Sequence, residues 1–244
     1  MSIKYVFFDL DGTLLPMDKR FDKAYFDGLC KRLAPHGYEP NALVATIWQG
    51  VKEMVKNDGS RTNEDVFWDA FEKVIGKNAR QDEPIFAAFY EEDFDAISTV
   101  CPRDDRAKVI VDYLHEKKIP LVLATNPIFP AIATQKRIAW AGLTPDDFIF
   151  YTTYENFGYC KPNPEYYRAI LRKIGADPTE CLMVGNDVEE DMIARELGME
   201  VFLLTDCLIS RNETDISRFP HGGFDELIDF LKVKFPQNKE GRTL

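Results

Sequence analysis

Five short apolar runs decide what this chain can fold into: residues 3–8, 120–124, 148–150, 181–184 and 201–204. They scarcely alternate with polar residues. A strand with one wet face alternates, whereas a strand covered on both faces reads as an unbroken apolar run, the pattern of a parallel sheet between helices. Helical spacing accompanies these runs in Ala107, Ile110, Val111 and Leu114, and again in Tyr166, Tyr167, Ile170, Leu171 and Ile174. It recurs in the shorter Met192, Ile193, Leu197 and in the tail at Phe224, Leu227, Ile228 and Leu231. Strands and helices in this order predict an α/β fold with right-handed crossovers.

Between the first run and the second the pattern changes. From about Met17 to Ser98 there are helical stripes and no convincing strand. Phe21, Tyr25, Leu29 and Leu33 make one stripe; Leu43, Val44, Ile47, Val51, Met54 and Val55 make the next. A third, Val66 to Ile75, opens at Thr62, a cap residue with Asp65 three positions on. A fourth starts near Pro84 and carries Ile85, Phe89 and Ile97. The expected architecture is therefore a Rossmann-like core with a mostly parallel five-stranded sheet flanked by helices, plus an inserted all-helical cap domain. The core takes residues 1–16 and 100–244, the insert 17–99, with hinges near 15–19 and 100–103. Trp48 and Trp68 are expected in the insert's core, with stacking on a ligand as the alternative. Lys52, Lys56 and Arg61 are expected as solvated charges, with contact to an anionic substrate as the alternative. Residues 236–244 read as a polar end.

With 41 acidic residues against 30 basic, the net charge of -11 argues against a nucleic-acid partner, which needs a basic face. It also means that a site for an anion must bring its own positive charge, and a metal ion is the obvious source. The five cysteines, Cys30, Cys101, Cys160, Cys181 and Cys207, are scattered and never form a CxxC pair. That pattern suits reduced thiols in a cytosol better than a disulfide frame. The start MSIKYVFFDL meets a charge at Asp9 and lacks a small-residue cleavage site. No apolar run approaches the roughly 20 residues of a membrane span. A cytoplasmic location with no membrane partner is expected; the oligomeric state is not legible.

The first run ends in Phe8-Asp9-Leu10-Asp11-Gly12-Thr13-Leu14. Asp-Gly between apolar residues can be a plain turn. Here, however, helix follows rather than a partner strand, and ligands of open α/β sheets bind beyond the carboxyl ends of strands. Two carboxylates one residue apart at such a place repel each other unless a cation or a proton joins them.

DLDGT resembles the first motif of the haloacid dehalogenase-like superfamily of hydrolases, and the other motifs follow in order. Thr125 closes the run LVLATN; Lys161 precedes Pro162 ahead of a helix; Asp187 and Asp191 follow a strand in VGNDVEED. Singly each has a bland reading, such as a strand-end hydroxyl, a solvated lysine or a helix cap. Together they span the core from end to end. The resemblance implies a C1-type helical cap and a magnesium-dependent phosphatase acting on a small phosphorylated metabolite. Asp9 would be the nucleophile, and Asp11 the acid and then the base. Thr125, Asn126 and Lys161 would hold the phosphate. Magnesium would be bound by Asp9, the backbone carbonyl of Asp11 and Asp187, with Asp191 orienting that shell or binding through water. The usual motif places Asp directly after Gly, where this chain has Asn186, so Asn186 is the alternative ligand. A phosphomutase of the same superfamily shares all four motifs, and a non-catalytic phosphometabolite-binding module remains as a different class. A haloacid dehalogenase needs neither magnesium nor a second Asp, so Asp11 and Asp187 speak against one.

Overall fold

The computed structural model describes residues 2–76 and 78–236, so all of the polar end but Pro236 lies outside the described residues. Six strands, β1 (Tyr5–Phe8), β2 (Leu121–Leu123), β3 (Phe150–Tyr151), β4 (Cys181–Gly185), β5 (Glu200–Leu204) and β6 (His221–Gly222), form one sheet. Their order is β3-β2-β1-β4-β5-β6, and every pairing is parallel. The expected count of five is corrected to six. The additional strand is two residues long with an exposed His221, so it leaves no apolar run to read. β3 also begins two residues later than its run, because Ile149 is exposed while Phe148 tucks inward.

The unalternated runs have a direct cause. Val6 and Phe8 belong to one apolar cluster, whereas Phe7 between them belongs to another on the opposite face with Val122, Tyr166 and Met183. Helices α5 (Asp105–Glu116), α6 (Ala131–Trp140), α7 (Pro164–Ile174) and α8 (Phe224–Lys234) sit among the strands, numbered after the four helices of the insert. The stretch Met192–Leu197 is a 3-10 helix, tighter than its spacing suggested. β1 is central: the chain adds β2 and β3 on one side, then returns to add β4, β5 and β6 on the other. The carboxyl end of β1 is therefore the switch point where such sheets open a crevice.

The insert holds α1 (Phe21–Leu33), α2 (Pro40–Val55), α3 (Asn63–Ile75) and α4 (Glu83–Ala88), then a π turn (Phe89–Asp93) and a 3-10 segment (Phe94–Val100). The Thr62 hydroxyl accepts from Asp65 N at 3.2 Å, as its position before α3 suggested. Glu39 caps α2 by accepting from Asn41 N and Ala42 N. Trp68, Phe71 and Phe86 pack edge to face, 5.4–5.6 Å between ring centres, a geometry that favours aromatic quadrupoles. Trp48 is not core: it is 49 % exposed and leans on Phe26. The apolar cluster above the sheet runs from Val6, Phe8 and Leu123 through Leu10 and Leu14 into Phe21, Phe89 and Phe94.

Candidate active site

Asp9 continues the ladder by one bond, its N–H donating to Val184 O at 2.9 Å. The chain then turns on itself: the Leu10 carbonyl accepts from both Thr13 N and Leu15 N, and Gly12 N donates to Leu15 O. Gly12 sits at φ +85°, and a Cβ there would fall 2.4 Å from Asn186 Nδ2. Only glycine meets both demands without strain. The turn leaves Asp9 and Asp11 facing one cleft of about 760 Å³, lined also by Thr125, Asn126, Lys161, Asn186, Asp187 and Asp191. All the side chains read from the motifs come together there.

Lys161 is the hub. Its buried ammonium donates to Asp9 Oδ1 and to Asp191 Oδ1, each at 2.7 Å. Its backbone N–H donates to Asn126 Oδ1 at 3.2 Å, and Asn126 Nδ2 donates to Glu190 Oε2 at 3.1 Å. The Thr125 carbonyl is fixed by Thr152 Oγ1 and the Tyr166 hydroxyl. Asp191 is wholly buried, with its second oxygen accepting from Asp187 N. Asp187 accepts from the amides of Glu189 and Glu190, closing the loop as a cap does. Asn186 accepts from Thr13 Oγ1 at 2.9 Å and donates to Cys207 O at 2.8 Å, so both ends of its amide are in use.

Loss of water is the largest influence on Asp9 and pushes its carboxyl up to about 8; Lys161 opposes this while Asp191 and Asp11 add to it. Burial alone would lower Lys161, but Asp191 and Asp9 outweigh it and hold the ammonium well above its usual value. Burial also raises Asp187 and Glu190. Negative charge is in surplus, with eight carboxylates and three cations among the residues that line the cleft.

The family model of the haloacid dehalogenase-like hydrolases matches residues 3–197. The chain belongs to this family. Known relatives include the phosphoglycolate phosphatase of Vibrio vulnificus, 26 % identical over 84 % of each chain. A glyceraldehyde 3-phosphate phosphatase of Methanopyrus kandleri is 24 % identical, covering 94 % of this chain and 97 % of that one. Among solved structures, the 2-haloacid dehalogenase of Pseudomonas syringae shares the fold, with a TM-score of 0.61 at 20 % identity over 95 % and 99 % of the two chains.

Two residues of this hydrolase's site have no counterpart in the motifs. Arg137, wholly buried on α6, ion-pairs with Asp11 Oδ2 through Nη1 and stacks 4.3 Å over Phe129. The other Asp11 oxygen, Oδ1, is buried without a hydrogen-bond partner. An arginine in register with Ala133, Thr134 and Ile138, the buried face of α6, was the available signal. Arg211 reaches Asp187 Oδ2 at 2.7 Å from the loop after β5, where no periodicity could mark it.

The insert is also tied to the core beside Lys161. Asn63, wholly buried at the start of α3, donates through Nδ2 to Pro127 O and Cys160 Sγ, and its N–H donates to Phe157 O. Glu64 N donates to Tyr154 O at 2.9 Å.

The donor set suits a hard cation. Among the described residues no three acidic, His or Cys side chains form a ready cage. Magnesium does not require one, since it takes one or two carboxylates and keeps waters or substrate oxygens. A carboxylate displaced toward 8 and surplus negative charge are what such a cation would relieve. No helix among the described residues is long and apolar enough to cross a membrane.

Proposed function

We propose that this hydrolase removes phosphate from a small-molecule phosphomonoester through an aspartyl phosphate on Asp9, with magnesium as cofactor. The observation that carries this is the Lys161 ammonium bridging Asp9 and Asp191 beside Asp11 at the switch point of the sheet. It provides a fixed carboxylate nucleophile, a cation for the transferring oxygens and a second carboxyl for the proton. The phosphatase names of the two relatives support the same reading.

Magnesium, when bound, neutralises phosphate charge that would otherwise repel the attacking carboxylate. Asp9, the backbone carbonyl of Asp11 and Asp187 would hold it. Asp191 we read as an orienting residue, because Lys161 and Asp187 N already engage its oxygens. Asp9 attacks phosphorus in line; the bond to the leaving oxygen breaks, and protonated Asp11 gives that oxygen its proton. Asp11 then takes a proton from water, whose oxygen attacks the same phosphorus. Phosphate leaves and Asp9 returns unchanged. Thr125 and Asn126 hold the transferring group with Lys161. Residues 17–99 serve as the cap that shields these steps from bulk water. All five cysteines are unpaired, in keeping with the cytoplasmic setting we propose.

Acid quench during turnover of p-nitrophenyl phosphate, followed by peptide mapping, tests the reading. Phosphate should be found on Asp9, and Asp9→Asn should abolish turnover. Phosphate trapped on another residue, or turnover surviving in Asp9→Asn, refutes it.

A further inference from the structure

A second cavity, of about 190 Å³, lies between the insert and the sheet and opens onto the catalytic cleft: Asp11, Met17, Phe21, Asp22 and Ile128 line both. Ten of its seventeen lining residues are aromatic, with Trp48, Phe67 and Trp68 contributed by the insert and Phe129 and Tyr154 by the core. Protein interiors are normally packed to the density of organic crystals, and a ring-lined void forfeits contacts on every wall. An apolar cavity of roughly 150 Å³ is enough to take up a benzene ring. This one is large enough for a ring with a small substituent.

Its charges are all of one sign. Asp11 and Asp22 stand at the mouth, and no Lys, Arg or His is among the described residues of the lining. The insert's candidate cations lie elsewhere: Lys56 pairs with Glu53 and Arg61 with Asp69, and Lys52 does not reach the cavity. A carboxylate or second phosphate entering here would lose its water without gaining a free counterion, since Arg137 is already taken by Asp11, and would face Asp22 at the mouth. One polar feature invites a ligand. Trp68 Nε1 is buried without a well-formed hydrogen bond, beside the Tyr154 hydroxyl. A buried donor with only a poorly placed partner is costly, and an acceptor atom on a bound ring would serve it better.

We infer that the leaving group is an uncharged, flat, ring-bearing alcohol, seated with its ring in this cavity and its ester oxygen beside Asp11. Small anionic alcohols are excluded, including glycolate, the product implied by the name of the Vibrio relative. The inference rests on the phosphatase reading and narrows it to a substrate class.

Benzyl phosphate, ethyl phosphate and 2-phosphoglycolate all release primary alcohols, so ring and charge are what separate them. With magnesium present, kcat/KM for benzyl phosphate should exceed that for ethyl phosphate by about 10- to 100-fold, the range a hydrophobic pocket supplies. Phosphoglycolate should fall below ethyl phosphate. Val51→Lys, which places a cation in the cavity wall, should narrow the benzyl-to-phosphoglycolate ratio by about tenfold. Trp48→Ala should lower the benzyl-to-ethyl ratio. If benzyl phosphate is no better than ethyl phosphate, or phosphoglycolate is no worse, the inference is overturned by the parent enzyme alone. The phosphatase reading then still stands on p-nitrophenyl phosphate. If none of the four substrates releases phosphate, that reading falls and takes the inference with it.

Discussion

Arg137 holds Asp11 from beneath: the guanidinium is wholly buried on α6, whereas the carboxylate it grips keeps 26 % of its side-chain surface exposed toward the cleft. The arginine belongs to the core and the aspartate to the site. The pair fixes where the proton-carrying group of the proposed reaction stands, and Phe129 fixes the arginine in turn.

Arg137→Ala should therefore cost both stability and rate. Removing one partner of a buried pair leaves the other uncompensated, and about 3 kcal/mol is expected, at the low end because Asp11 retains some water. Arg137→Lys should recover only part of it, since an ammonium cannot reproduce the stacked guanidinium. Urea melts of the two variants give the comparison. A midpoint for Arg137→Ala equal to that of the parent contradicts the clamp.

Asp11→Asn removes the proton shuttle and leaves the backbone carbonyl in place. General acid–base help is worth about 10²–10⁴-fold. On benzyl phosphate that loss should appear in the first step. On p-nitrophenyl phosphate, whose leaving group needs no proton, attack should largely survive while release of phosphate from Asp9 slows. Rapid quench should then find the phosphorylated enzyme accumulating with the nitrophenyl ester only. Equal slowing of attack on both esters argues that Asp11 acts otherwise.

Asn186 and Asp187 should separate by readout. Asn186 spends its amide on Thr13 and Cys207 and packs over Gly12. Asn186→Ala should lower stability by about 1–3 kcal/mol, the cost of stranding buried partners, with a modest change in magnesium affinity. Asp187→Asn should weaken magnesium binding strongly. A magnesium titration in which Asn186→Ala loses more than Asp187→Asn reverses the assignment.

Magnesium itself should raise the melting temperature, because it binds the folded site and relieves the surplus of carboxylates. At 100 times its dissociation constant the expected gain is about 2.7 kcal/mol. EDTA should abolish activity and return the melt to its metal-free position. Full activity in EDTA rules out the cofactor.

What the sequence made legible follows from what repeats. Buried strands advertise themselves in three to five consecutive apolar letters, and the insert's amphipathic helices repeat every turn, so β1, β2, β4, β5 and α1 to α3 could be read directly. β6 could not, because two residues at a sheet edge, one of them an exposed histidine, carry no period. α6 was passed over for a related reason: its buried face is Ala133, Thr134, Arg137 and Ile138, too small and too polar to form a stripe. The motif side chains were visible because they follow strand ends. The residues that hold them, Arg137, Arg211 and Tyr166, come from distant segments, and only folding puts them in place. Trp48 was misplaced because helical spacing tells which face a residue shares and not whether that face meets a wall or an opening.

The bonds of Asn63 and Glu64 to the loops around Lys161 change what kind of roof the insert is. A block joined only where the chain enters and leaves could swing like a flap. A further anchorage, away from those two crossings and one residue from Lys161, pins it in place. With the insert so tied, we predict that traffic through the site passes the cavity wall, where half-exposed Trp48 stands. Product release should accordingly quicken in Trp48→Ala and respond little to solvent viscosity; strong viscosity dependence in both proteins points back to a swinging flap.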